Sequence, residues 1–339
     1  MTTREWGPTI LVSREQIEQI VDLDDARAVV EEVLREQARG RVAMPAKVTM
    51  NLADFGLEAW NTAMPAYIEA LGASGFKWVG GFAENRSRHG LPFLISLILV
   101  QDPPTGYPLA VMEGVHITNL RTAALNALIV ELYARPESRR LGIIGAGVQA
   151  RFAVAAIRRI VPLEEVRVHD TDPGASARFA RDIEAQHGIA VSVCDGAEGA
   201  VAGADIVITA TPSVTPLVRR AWLAPGVTAI SVGSQGQEFD DEVILGVDKL
   251  ICDSWEQCSH LGELRELAET GRLTRADVYA EIGETIAGLR AGREHQDEDI
   301  LVVPIGLGAL DIALGRVAYE RVAAAGGAAS FRFFESGTQ

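Results

Sequence analysis

Cysteine is scarce: Cys194, Cys252 and Cys258 are the only three in 339 residues. Their odd number, with no CxxC pair and no histidine at zinc-finger spacing, speaks against a disulfide framework and against structural zinc. The six histidines, at positions 89, 116, 169, 187, 260 and 295, form no HxH or HxxxH arrangement, so no metal site is assigned. Aromatic residues make up only 6% of the chain, which predicts an aliphatic core. Positive charge is in deficit as well. Lys and Arg number 31 against 46 Asp and Glu, a net charge of -15 that repels nucleic acid and anionic membrane and favours small-molecule chemistry. Long apolar runs are missing: Leu94 to Val100 is far too short to cross a bilayer. The opening MTTREWG is neither basic nor followed by the apolar region of a signal peptide, so a cytoplasmic location is expected.

What is present suits an α/β protein: 48% hydrophobic residues, 23% charged and 33 Gly. The length exceeds what one core usually organises, which points to two domains. Between Asp22 and Gly40, apolar residues Ala26, Val29, Val30, Val33 and Leu34 recur at helical spacing. GFKWVGGF and LPFLISLILVQDPPTGYPLAVMEG then read as strands, the latter turning at Pro103 to Gly106, so the first third is a helix on a largely antiparallel sheet. ITNLRTAALNALIVELYARP is a long helix beginning near Thr118 and ending before Pro136. From residue 141 to 254 the strands LGIIG, EVRVHD, AVSVC, DIVITA, TAISVGS and KLICDS alternate with helices or loops, the pattern of a parallel sheet covered on both faces. Residues 256 to 297 look helical and acidic, and ILVVPIGLGALDIALGRVAYERVAAAGG supplies a strand and a final helix.

Gly145-Ala146-Gly147-Val148-Gln149-Ala150 is a GxGxxA turn set between the strand LGIIG and a helix. Gly145 permits the tight turn, Gly147 lets a pyrophosphate approach the backbone, and Ala150 allows close helix packing while the helix N-terminus faces the anion. The next strand ends in Asp170, 25 residues after Gly145, where a ribose-binding acid belongs. A carboxylate there repels the extra phosphate of NADP, and Thr171-Asp172 supplies no Arg to offset it, so NAD is the expected cofactor. Asp170 could instead cap the helix beginning near Gly174. Ala210 and Thr211, after DIVITA, and Ser231 to Ser234, including Val232 and Gly233, stand at the carboxyl ends of parallel strands, where ligands bind in such sheets.

Three cations sit among apolar or small residues. Arg121, placed in the first turn of its helix, could join the positive helix end in gripping a carboxylate, or could pair with a neighbouring acid. Lys77, between Phe76 and Trp78, could be desolvated and suited to proton transfer, or alternation could turn it to solvent. Lys47 in MPAKVTM has the same ambiguity. Asp311 could orient a lysine or cap the last helix.

GFKWVGG, ITNLRTAALNAL, GAGVQA and PIGLGALDIALG, in this order and spacing, resemble the ornithine cyclodeaminase/mu-crystallin family over about residues 10 to 325. The resemblance implies a homodimer with a Rossmann-type NAD-binding domain at 127–302. A smaller α+β substrate-binding and dimerisation domain would form from 1–126 with 303–339, including the C-terminal strand and helix. It implies that Arg121 and Lys77 hold the substrate carboxylate, that Lys77 also handles a proton, and that Lys47 stands where relatives carry a carboxylate-binding Arg, losing the planar fork. Gln235 falls closest to an Asp that engages the distal amine in cyclodeaminases, and a neutral amide cannot replace that base. Glu238, Asp240 and Asp241 could substitute, though their spacing suggests a helix N-cap. Substrate choice would depend on loops around Met64, Phe82 and Gln235.

The expected activity is therefore an NAD(H)-dependent oxidoreductase working on the C–N bond of a small α-amino or imino acid. Ornithine or lysine cyclodeamination with catalytic NAD, and non-catalytic NAD(H) binding, are the alternatives.

Overall fold

The computed structural model describes residues 7–233 and 235–334, so Ser234, the first six residues of MTTREWG and residues 335–339 lie outside the described residues. The chain divides into two compact units. One runs up to Arg121 and resumes at Leu307, and the other is Thr122–Gly306.

In the first unit a mixed sheet has the order Ala329–Phe331, Thr9–Val12, Pro108–Glu113, Leu94–Gln101, Ala73–Phe82, Ala59–Ile68 and Val42–Ala43, with Val48–Asn51 also on Ala59–Ile68. All pairings are antiparallel except Thr9–Val12 with Pro108–Glu113. Asp22 caps the helix Leu23–Ala38 by accepting from the N–H groups of Asp24 and Asp25, as the Asp-rich start implies. The strand Ala59–Ile68 and the short helix Arg14–Ile20 have no counterpart in the sequence reading. AWNTAMPAYI hides its strand because Asn61 and Pro65 break an otherwise alternating run, yet it pairs along its whole length with Ala73–Phe82.

Strand alternation sends successive side chains to opposite faces. One face carries Ile98, Val100 and Met112 and is covered by the helix Gly308–Ala325; a Cβ on Gly315 would stand 3.2 Å from Ile98 and 3.3 Å from Met112. The other face leaves Leu11, Phe76, Trp78 and Leu97 exposed.

The second unit is a wholly parallel sheet in the order Ala190–Val193, Glu165–His169, Arg140–Ile144, Ile206–Thr209, Thr228–Ser231, Ile300–Val303, Lys249–Cys252 and Ala280–Glu281. The direction of strand addition reverses between Arg140–Ile144 and Ile206–Thr209, creating a switch point above their carboxyl ends.

Three expectations need correcting. The strand Ile300–Val303, expected with the C-terminal helix although the expected bounds 127–302 take in its first three residues, lies in this parallel sheet. Its four side chains are all buried, which a strand covered on both faces requires. Residues 256 to 297 are not a helical run: the short helices Trp255–Cys258, Arg265–Glu269 and Ile282–Ile286 and the edge strand Ala280–Glu281 are separated where Gly262 and Gly271 take positive φ, and Gly288 does so after the last of them. The long helix begins at Val115, not near Thr118.

Candidate active site

Lys77 lies in the strand Ala73–Phe82 on the helix-covered face, while its neighbours Phe76 and Trp78 point the other way. It is 2% exposed, so alternation turns it inward. Its Nζ donates to Asp311 Oδ2 at 2.7 Å and to Thr118 Oγ1 at 3.4 Å. Thr118 Oγ1 donates to Asp311 Oδ1 at 2.7 Å, and Arg121 Nε approaches the same oxygen at 3.3 Å. Asp311 is therefore the shared acceptor of a lysine, a threonine and an arginine. It caps nothing: the N-cap of its helix is Leu307, without a side-chain bond.

Burial pushes the Lys77 ammonium down to about 8, against the opposing pull of Asp311; Arg121 and Lys47 lower it further. Burial would raise the Asp311 carboxyl, but Arg121 and Lys77 together hold it below the usual carboxylate range. Lys47, half-buried just before Val48–Asn51, is near enough to act on Lys77. Lys77 and Arg121 thus share one carboxylate, an excess of positive charge suited to a second carboxylate.

The helix end does not join them. Glu113 accepts from Val115 N at 2.7 Å and from His116 N at 2.9 Å, so the first turn already has its anion and Arg121 belongs to the second turn. Thr118 was not singled out in the sequence; its placement three residues before Arg121, on the same helix face, was the available signal. Met64 and Phe82 lie in strands rather than loops, with Met64 directly opposite Lys77.

In the second unit, Gly145 has φ +99°, and a Cβ there would stand 2.6 Å from the carbonyl oxygen of Ala210. Gly147 is the N-cap of the helix Val148–Ile157 and offers no side-chain cap; a Cβ on it would meet nothing within 4 Å. Open space above uncapped N–H groups fits a pyrophosphate. Ala150 is fully buried, Gln149 half-buried and Val148 exposed. Asp170 Oδ2 accepts from Ala146 N at 2.7 Å and Oδ1 from Asp172 N at 2.8 Å, tying the acid to the glycine turn beside the exposed Thr171. The capping role belongs to Asp172, which accepts from Gly174 N at 2.8 Å.

Ala210, Thr211, Val232 and Gly233 are half-buried beyond the strand ends, and Gln235 is exposed. Glu238 is neither exposed nor a cap: it is buried against Thr209, Thr211 and Gly233. Asp240 caps Asp241–Ile244 through Val243 N, and Asp241 pairs with Arg272 at 2.5 Å. Each of the three acids near Gln235 therefore has a structural partner. Among the described residues, no three His, Cys, Asp or Glu side chains are grouped to hold a metal ion. No helix among them is long and apolar enough to cross a membrane.

The model of the ornithine cyclodeaminase/mu-crystallin family matches residues 8–326. The chain belongs to this family. Within the ornithine cyclodeaminase/mu-crystallin family it is 35% identical over 329 residues to an alanine dehydrogenase of Archaeoglobus fulgidus, covering 96% of this chain and 99% of the relative. The solved structure of Thermococcus litoralis Δ1-pyrroline-2-carboxylate reductase with NADH and L-proline is 30% identical, with TM-score 0.90 over 95% of this chain and 100% of that one. An archaeal alanine dehydrogenase dimer with bound NAD is 35% identical, with TM-score 0.89 over 97% of this chain and 100% of the other. These similarities extend through both compact units.

Proposed function

We propose that this protein is an NAD(H)-dependent oxidoreductase acting on the C–N bond of a small α-amino or imino acid. The observation that carries the reading is the buried cluster in which Lys77, Thr118 and Arg121 converge on Asp311 with positive charge left over. Relatives named for alanine and for pyrroline-2-carboxylate support the substrate class.

In this reading Arg121, engaged with Asp311 through Nε, uses its Nη atoms on the substrate carboxylate, with Lys47 as a second, unforked cation. Lys77 Nζ exchanges the proton that accompanies oxidation or reduction at the nitrogen-bearing carbon, and its lowered pKa keeps both protonation states accessible near neutrality. Asp311 and Thr118 orient that amine. Gly145, Gly147, Val148, Gln149 and Ala150 hold the dinucleotide pyrophosphate, Asp170 and Thr171 its adenosine ribose, and Ala210, Thr211, Val232 and Gly233 its nicotinamide half. Bound NAD(H) supplies the hydride chemistry. Gln235, where the family resemblance expects the Asp of cyclodeaminases, offers no base for a distal amine, which favours redox turnover over cyclodeamination.

The unit formed from both chain ends is assigned the substrate and the dimer contact, and Thr122–Gly306 the cofactor. A second copy of the chain is the proposed occupant of the exposed apolar face at Phe76, Trp78, Leu97, Leu99 and Val111, in keeping with the dimeric relative. The proposed location is the cytoplasm.

The test is NADH absorbance with a panel of 2-oxo acids plus ammonium or amines, and of cyclic imines. Oxidation of NADH with one of these classes is expected. Ammonia and proline or pipecolate formed from ornithine or lysine, with catalytic NAD and no NADH build-up, would overturn it in favour of a cyclodeaminase. Tight NADH binding without any turnover would make the chain a binding protein.

A further inference from the structure

Two buried carboxylates join the segments that follow the strands Ile206–Thr209 and Thr228–Ser231. Glu238 Oε2 accepts from Thr209 Oγ1 at 2.9 Å and from Gly233 N at 3.1 Å; Oε1 accepts from Thr211 Oγ1 at 2.6 Å and Thr211 N at 3.1 Å. A side chain on Gly233 would collide with Glu238 Oε2, so the glycine is required by this carboxylate whether or not a ligand is present. The Glu238 carbonyl accepts from Leu217 N at 2.7 Å and Val218 N at 3.1 Å, pinning a third segment. Glu263 secures the arrangement from below: Oε2 accepts from Ser231 Oγ at 2.7 Å and Glu238 N at 2.9 Å, and Oε1 from Phe239 N at 2.8 Å. Both acids are fully buried, and among the described residues every donor to them is a hydroxyl or a backbone N–H.

Burying two carboxylates without a cationic partner is costly. Hydrogen bonds offset that cost only while the segments keep this arrangement, so the acids select one conformation at the strand ends. These ends lie across the switch point from the glycine turn and Asp170, the side that receives the half of a dinucleotide remote from adenosine.

We propose that Glu238 and Glu263 are positioning residues for the nicotinamide half of the cofactor, clamping the Thr209–Thr211 and Ser231–Gly233 segments into a preformed binding edge. The proposal rests on the NAD(H) reading above and adds two residues that need not touch the ligand. It distinguishes them from residues that only hold the sheet together, because their effect falls on one half of the dinucleotide.

Equilibrium binding of NADH and of ADP-ribose, which lacks the nicotinamide, to the full chain and to Glu238→Gln and Glu263→Gln tests it, with thermal unfolding recorded alongside. Losing these buried hydrogen bonds is expected to weaken NADH roughly tenfold or more while ADP-ribose affinity is retained. Equal loss for both ligands, or no loss for either, would overturn the clamp. Should a variant fail to fold, Thr209→Val and Ser231→Ala each delete one buried hydroxyl donor and are read in the same way, with a smaller selective loss of NADH expected. A wild-type chain that binds neither ligand would retire the NAD(H) reading and the clamp with it. Wild-type binding combined with unselective or unaltered variants would retire the clamp alone.

Discussion

Lys77 Nζ lies 2.7 Å from Asp311 Oδ2, a contact between two buried side chains 234 residues apart. The pair holds an amine whose affinity for its proton has been lowered by burial without being left unpaired. Removing one partner of such a pair strands the other, so substitutions here must keep shape.

Lys77→Met retains the apolar stem and removes the proton carrier. Turnover is expected to fall roughly 10²–10⁴-fold, as for loss of a general acid or base. NADH binding, measured by fluorescence titration, should be preserved. Comparable turnover by this variant would remove Lys77 from the chemistry.

Asp311→Asn removes the negative charge that raises the Lys77 pKa. Oxidation of the amino acid needs the neutral amine, so kcat/KM should rise with pH through about 8 in the wild type. In the variant this limb should move to lower pH, with a reduced plateau because the amine is less well oriented. A limb that stays in place would show that another group titrates.

Asp170→Ala tests cofactor choice. The carboxylate is held by Ala146 N at 2.7 Å and Asp172 N at 2.8 Å, and its charge opposes a 2′-phosphate. Loss of charged hydrogen bonds to the ribose should raise the KM for NADH roughly tenfold. The preference for NADH over NADPH should shrink at the same time. An unchanged ratio of kcat/KM values would contradict the ribose assignment.

Glu263 is held at about 7, above its ordinary 4.5, because burial and the neighbouring Glu238 oppose its charge more than Ser231 and the N–H groups of Glu238 and Phe239 favour it. The folded state therefore binds more protons than the unfolded state between these values. Its favourable contribution is fully present below about 4.5 and is lost as pH rises through about 7. The span is about 3 kcal/mol. Denaturant unfolding of Glu263→Gln should show a flatter pH dependence over this window than the wild type, and parallel curves would disprove the linkage.

Trp78→Glu combined with Leu97→Glu places two charges on the exposed apolar face. Burying them against a second copy without partners would be strongly unfavourable. For the proposed dimer, sedimentation should show a shift to monomer while far-UV circular dichroism stays native. A dimer that persists would locate the contact elsewhere.

Much of this protein is readable along the chain because the signals are local. The strand-turn-helix around Gly145 and Gly147 follows from backbone sterics within a few residues, and the alternation of apolar strands between residues 141 and 254 reports a sheet covered on both sides. Asp170 could be placed by counting from the turn, although the cap that the sequence offered as its alternative role is taken by Asp172.

Other features required the folded chain. A period of two tells which residues share a face but not which face is covered, so Lys77 was ambiguous until the helix Gly308–Ala325 packed over it. Thr118 and Asp311 became its partners only through that packing, and Glu113 displaced the helix end from the site by capping it first. Ile300–Val303 likewise reads as a strand from its own residues, while its place between two distant strands was decided by burial of both its faces. Short-range geometry is written in neighbouring residues; the pairing of charges is set by long-range burial, where desolvation forces each buried ion to find a partner from elsewhere in the chain.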